Sequence, residues 1–389
     1  MELDFSLSWI LLGLPVAFVL GWIASRLDLR QLRMENRQAP KAYFRGLTFL
    51  LNEQQDHAID AFIEAVQSDS DTSELHFALG NLFRRRGEYE RAVRVHEHLL
   101  SRGDLSRADR ERAQYALATD FLKAGLLDRA EDAFARLEGT PFETQANLAL
   151  LSIFERSHDW SQAARIAARL DEADQGSFRA RQAHYLCEQA RAQTGAGNEA
   201  GARRLLEQAT ENAPQAPRPR IELAALLLRS GEPAAALQVL DALVEAAPQS
   251  LPLAAKLLRE AAVACGQGGR ALQLLKDAHA RMPSLDLLDA IVALAEATHN
   301  APADGAAREW YVRHLEREPS LVAAAKWIAG ERLEHEQYHA PVQRALDHAA
   351  RPLLRYRCAA CGFEVNQHFW QCPGCQAWDS YPPRRVEEL

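Results

Sequence analysis

Apolar side chains return every three to four residues through most of the chain, the period of amphipathic α-helices. In Glu74-Leu-His-Phe-Ala-Leu-Gly-Asn-Leu-Phe83 this spacing predicts one helix, Gly87 ends it, and Tyr89 to Leu100 restart the pattern. Gly125, Gly197 and Gly231 hold the same punctuating place in later helix pairs. No alternating strand pattern appears before residue 353.

The helical region also repeats itself. Gly46, Ala58 and Phe62 align with Gly80, Ala92 and His96, each 34 residues on. The frame returns at Ala118, Ala130 and Phe134 after a four-residue insertion near Ser101 to Arg107, and again at Ala163 with Trp160 three before it. It continues as Ala190, Ala202 and Pro214, as Ala224, Ala236 and Pro248, and more weakly as Ala271, Leu275 and Pro283. Small residues where two helices press together, at this period, resemble the tetratricopeptide repeat family over residues 40 to 283, with irregular helices from Leu285 to about Ala350. The large aromatic that the family places early in each copy is Tyr43 in the first and absent from most later ones. Stacked repeats share one continuous core and offer an extended concave wall suited to peptides. The resemblance places Asn81, Arg84 and Arg85 of the second copy, and Arg112, Thr119 and Lys123 of the third, on that wall as a basic partner-binding groove.

The N-terminus breaks the amphipathic pattern. Phe5 to Ser25 is 21 residues without a charge, long enough as a helix for the roughly 30 Å core of a bilayer, with Trp9 and Trp22 near its ends. Glu2 and Asp4 precede it where a cleaved leader would carry basic residues, and no convincing cleavage site follows. Arg26, Arg30, Arg33, Arg37, Lys41 and Arg45 come after it, against only Asp28 and Glu35, an asymmetry that puts the following chain on the cytoplasmic side. The expected topology is therefore a single pass through a membrane, with the bulk on its inner, cytoplasmic side; the bacterial inner membrane is the location that the family resemblance of the tail, given below, implies.

Composition adds little to this picture until the cysteines. The net charge of −8 gives no basic field of the kind that draws nucleic acid. Cys187 and Cys265 fall in apolar helical stretches and read as small hydrophobes. The other four form Cys358-Ala-Ala-Cys361-Gly362 and Cys372-Pro373-Gly374-Cys375, two turns that can each direct two thiolates at one ion. In a reducing compartment this predicts one structural metal ion held by four cysteines, zinc ahead of iron. The surrounding segment is too short for a core of its own, so Phe363, Phe369, Trp370 and Trp378 are expected to dock the metal domain on the helical array.

His335-Glu-Gln-Tyr-His339 matches the zinc-peptidase pattern, but Pro341 interrupts the helix that the pattern requires, so the sequence predicts no enzyme. There is no Walker loop, no dinucleotide fingerprint and no nucleophile elbow.

The tail resembles a rubredoxin knuckle pair, with a shorter span between the pairs and Gln376 where the second knuckle usually has glycine. With the anchor and the repeats, Tyr356 to Phe363 and Trp370 to Trp378 are similar across the whole chain to one family, the bacterial lipopolysaccharide assembly protein B. The resemblance implies a non-enzymatic inner-membrane adaptor working with the membrane AAA protease FtsH on turnover of the lipid A pathway deacetylase. It also implies links to other lipopolysaccharide assembly proteins; a scaffold for synthesis and export enzymes is the alternative. The expected fold is all-α, a tetratricopeptide-repeat superhelical solenoid with an N-terminal transmembrane helix and a small C-terminal rubredoxin-like four-cysteine metal knuckle domain. Its parts are residues 1–25 (short periplasmic tail and transmembrane helix), 26–40 (basic juxtamembrane linker), 41–350 (repeat array with irregular C-terminal helices) and 353–383 (metal domain).

Overall fold

The computed structural model describes residues 17–20, 22, 44–49, 51–52, 54–68, 73–172, 177–298, 309–331 and 334–389. Most of the expected membrane span, the basic linker and Tyr43 lie outside these residues. Residues 17–20 and 22 are helical and exposed, and among the described residues no helix is long and apolar enough to cross a membrane.

The chain divides into two compact units, Met1–Arg156 and Ser157–Leu389, a boundary that falls inside the expected array. In the first unit a helical stretch over 44–49 is followed by α1 (Gln55–Ser68), α2 (Ser73–Arg85), α3 (Tyr89–Ser101), α4 (Arg107–Lys123), α5 (Leu127–Ala135) and α6 (Glu143–Ser157). The second holds α7 (Trp160–Glu172), α8 (Arg179–Gly195), α9 (Glu199–Asn212), α10 (Pro217–Arg229), α11 (Pro233–Ala246), α12 (Leu251–Ala264) and α13 (Gly268–Arg281). It continues through α14 (Leu285–Thr298), α15 (Glu309–Leu315), α16 (Leu321–Ala329) and α17 (His339–Ala350) to a two-stranded tail.

The repeat frame explains why these helices pack. Ala58, Ala92, Ala118, Ala130, Ala163, Ala190, Ala202, Ala224 and Ala236 are all at most 1% exposed, so each marks a place where helices meet with only a methyl group between them. Gly46 and Gly80 go further. A Cβ on Gly46 would lie 2.9 Å from the Phe62 ring, and one on Gly80 would lie 2.5 Å from the His96 ring, the same close pair one repeat apart. Gly87, Gly125, Gly197 and Gly231 all have φ between 77° and 80°, which lets each helix stop and the next turn back on it. The second unit's main core runs from Ala183 to Leu294, mostly alanine and leucine, and a satellite cluster joins Leu285, Leu288 and Val292 of α14 to Val322, Ala323 and Ala325 of α16.

Among the described residues the only strands are β1 (Tyr356–Arg357) and β2 (Glu364–Val365), antiparallel, with Tyr356 opposite Val365 and Arg357 opposite Glu364. A single bridge pairs Gln371 with Trp378. Each cysteine pair therefore sits at the tip of its own tiny hairpin.

Candidate metal centre

The two hairpin tips face each other. The sulfur atoms of Cys358, Cys361, Cys372 and Cys375 all lie within 4.8 Å of one another; Cys358 Sγ is 3.8 Å from Cys375 Sγ, and Cys361 Sγ is 3.7 Å from Cys372 Sγ. A tetrahedral ion with zinc–sulfur bonds of about 2.3 Å sets sulfurs about 3.8 Å apart. The four side chains therefore fit one metal ion. Among the described residues they are the only cluster of three or more His, Cys, Asp or Glu ligands.

The knuckles repeat one another in detail. The amide of Gly362 donates to the carbonyl of Cys358 at 2.8 Å, and that of Gln376 to the carbonyl of Cys372 at 2.8 Å. Gly362 has φ 78° and Gln376 φ 62°, so glutamine takes up the left-handed turn that glycine adopts without cost. Thiol acidity is spread unevenly. Burial opposes ionisation of Cys358, but the Ser380 hydroxyl and the amides of Cys361 and Ala360 bring it down to about 6. The Phe363 amide favours the Cys361 thiolate, yet desolvation and the three neighbouring thiols push it up to about 12. Four thiolates so close need a cation between them, and a bound divalent ion would neutralise them and cross-link the two hairpins.

One edge of the site is open: Cys361 and Cys375 are exposed, while Cys358 and Cys372 are buried with Tyr356 and Tyr381. Leu253 of α12 packs on that buried cluster beside Val365 and Phe369. Trp378 meets three rings of the helices. Its ring stacks on His184 of α8 at 4.6 Å and meets Trp160 of α7 and Tyr185 of α8 edge-on at 6.1 and 6.0 Å. Trp370 lies 6.1 Å from His184. Phe363 departs from the expected docking role: it is 48% exposed and lies against Gly374 of the opposite knuckle, because it follows the turn at the open edge of the site.

Polar contacts that the sequence did not disclose extend this docking. Arg218 of α10 is 1% exposed and bonds Glu188 of α8 and Glu222 of α10, each at 2.6 Å. It also reaches His184 Nδ1 at 3.4 Å, and His184 Nε2 meets Asp379 of the tail at 2.9 Å. Burial disfavours the Glu188 carboxylate, but Arg218 outweighs it and holds the group below the usual range. Beyond the expected domain end, Arg385 grips Asp286 of α14 through both carboxylate oxygens at 2.9 and 2.7 Å. Glu388 accepts from the amide of Leu285 at the start of α14 at 2.5 Å, and Glu387 from the amide of Leu321 at the start of α16 at 2.6 Å. The closing residues thus satisfy orphan donors of two helix N-termini. A hydrophobicity-guided reading misses them because they are charged; the acidic pair at the very end is the signal.

The expected groove residues sit on α2 and α4 of the first unit. Arg84 donates to the buried Asp120 at 2.9 Å, to the carbonyl of Ala116 at 3.0 Å and to Asn81. Arg112 pairs with Glu74 at 2.5 Å and lies 4.1 Å over the Phe77 ring. The Thr119 hydroxyl donates to the carbonyl of Tyr115 at 2.8 Å. Arg85 and Lys123 are exposed. Arg84 is therefore a structural cation that neutralises Asp120, which in turn meets His96 Nδ1 at 2.5 Å.

The peptidase-like pentapeptide is split between a 3-10 turn over Glu336–Tyr338 and the start of α17, and His339 Nε2 contacts the carbonyl of Ile328 at 3.1 Å. Its two histidines do not share an α-helical face. Cys187 is fully buried, its thiol pushed up by burial and by Glu222, whereas Cys265 is half-buried at the end of α12.

Residues 356–382 match a family model described as rubredoxin metal binding domain, and residues 45–95 and 193–261 match tetratricopeptide repeat models. Lipopolysaccharide assembly protein B of Escherichia coli (strain K12) is 30% identical over 386 residues, covering 97% of this chain and 98% of that protein. The protein of the same name from Haemophilus influenzae is 25% identical, covering 96% and 98%. Among solved structures, that of Naa15/Naa10 bound to HypK-THB aligns over 81% of this chain and 47% of that one, at 13% identity and a TM-score of 0.44.

Proposed function

The chain belongs to the lipopolysaccharide assembly protein B family, and on that premise we propose that it is a non-catalytic adaptor regulating lipopolysaccharide biosynthesis from the cytoplasmic face of the inner membrane. The observation that carries this reading is similarity over 97% of the chain, so that repeats and metal tail are matched together and not as separate modules. Tetratricopeptide helices supply surfaces for other proteins. The uncharged run at Phe5–Ser25, with the arginines that follow it, supports a tether.

In this reading the adaptor holds the lipid A pathway deacetylase near the protease FtsH. A tether of this kind raises the local concentration of client and protease, so even weak contacts can regulate. The test is the deacetylase half-life after protein synthesis is stopped, in cells with the full chain, without it, and with a form lacking residues 1–25. A half-life lengthened several-fold in the last two strains is expected. An unchanged half-life without the chain rejects the degradation role and leaves a scaffold for synthesis and export enzymes. Full regulation by the truncated form at normal abundance rejects the tether.

A further inference from the structure

Helices α10, α12 and α14 are the first helices of successive pairs in the second unit, and the metal knuckle stands against them. Between helices and knuckle lies an open cleft of about 590 Å³, within the size range of ligand sites. Its floor is made of short side chains, with Pro252, Ala255 and Ala290 all buried. The helices contribute Lys256 and Arg259 of α12, with Leu253 and Ile221, to its lining, and the knuckle contributes His368 and Trp370.

The charges in this cleft do not cancel. Arg385 is taken by Asp286, and Asp289 is taken by Lys326. Among the described residues, Lys256 and Arg259 have only the carboxylate of Glu260 to share, at 4.0 and 3.6 Å, and the Lys256 side chain is 79% exposed. These four cations and three carboxylates leave one positive charge in excess, beside half-buried tryptophan and aliphatic surface, on a chain of net charge −8. The two cations are one helical turn apart, and an extended peptide sends successive side chains to opposite sides.

We propose that this cleft docks an extended segment of a partner protein in which an acidic side chain adjoins an aromatic or aliphatic one. The acidic group meets Lys256 and Arg259, and its neighbour packs between Trp370, Leu253 and Ile221. Because the knuckle contributes part of the lining, the cleft exists only when the metal domain is folded on the helices, which gives the four-cysteine site a part in recognition. The proposal rests on the adaptor reading but fails separately: that reading is decided by the deacetylase half-life in cells, this one by peptide binding to the purified full-length protein.

The probe is a fluorescein-labelled octapeptide, acetylated and amidated, with a central Glu-Phe pair; binding to the metal-loaded full chain is read by fluorescence anisotropy at two salt concentrations. The double variant Lys256→Glu/Arg259→Glu should bind about tenfold more weakly and lose the salt dependence. Replacing glutamate by glutamine, or phenylalanine by alanine, in the peptide should weaken binding to the unaltered protein similarly. Arg94→Glu/Arg107→Glu at exposed positions of the first unit should leave it unchanged. Equal metal content in all proteins shows that the knuckle is in place. No binding, equal binding by the Lys256→Glu/Arg259→Glu variant, or equal binding of the glutamine peptide overturns the proposal. Binding only by a free-acid peptide without an acidic side chain also overturns it, since the cleft would then read a chain terminus.

Discussion

Buried charges are placed where a repeat frame alone would put apolar packing. In the first unit Asp120 is fully buried between Arg84 and His96, and Gly80 leaves the space that the His96 ring fills. Removing one member strands the others, because a buried cation without its partner costs far more than the pair contributes. Asp120→Ala should therefore destabilise the first unit by about 3 to 5 kcal/mol, read by urea unfolding, while Arg85→Ala at the exposed neighbouring position should stay within about 0.5 kcal/mol. In the second unit His279 Nε2 lies 3.2 Å from His314 Nδ1, both buried. Burial, with His314 and Arg317 nearby, brings His279 down to about 4. A histidine depressed from an unfolded value of about 6.5 contributes stability that is present above that pH and is lost as pH falls toward its folded value. The melting temperature of the second unit should fall between pH 6.5 and 4, and His279→Gln should flatten that slope.

At the scale of elements, the chain's final residues act as a strap over helix starts. Glu387 accepts from Leu321 and Val322 and from the Ser320 hydroxyl, while Glu388 accepts from Leu285 and from the amide of Arg385 at 2.6 Å. Loss of an N-terminal cap costs about 0.5 to 2 kcal/mol, and α16 has only nine residues over which to absorb it. Glu387→Ala should accordingly speed amide exchange in the first turn of α16 and leave α10 and α11 unchanged, as read by hydrogen-exchange mass spectrometry. The helix pairs themselves are legible in the sequence because alanine and glycine at a 34-residue spacing report helix contact directly: Ala58, Ala92, Ala202 and Ala236 are all fully buried. The strap is not, since its contacts join residues up to 103 positions apart and depend on side-chain oxygens meeting backbone amides.

Over the whole molecule, the same contrast separates what spacing encodes from what only packing decides. Four cysteines in two C-x-x-C pairs specify a metal site from sequence, and their sulfurs meet within 4.8 Å as that chemistry requires. Trp370 and Trp378 lie beside rings of α7 and α8, and which helices receive them depends on His184, Tyr185 and Trp160, which carry no motif. Among the expected groove cations, Arg84 shows the limit of reading position alone. Arg84 has the position of a ligand-binding residue and the partners of a structural one, because the sequence shows its place on a helix but not Asp120 facing it.

The central claim is that the metal ion clasps the tail onto α8, α12 and α14 of the second unit, so that metal, Trp378 and the Arg218 network hold one surface together. Hydrogen exchange of the full chain, metal-loaded and after removal of the metal by a chelator under reducing conditions, tests it most directly. Without the metal, amides of residues 356–382 should lose protection, and those of α8 and α12 beneath them should exchange faster, while α2 and α4 of the first unit keep their rates. Unchanged exchange in α8 and α12 once the tail has unfolded would contradict the account.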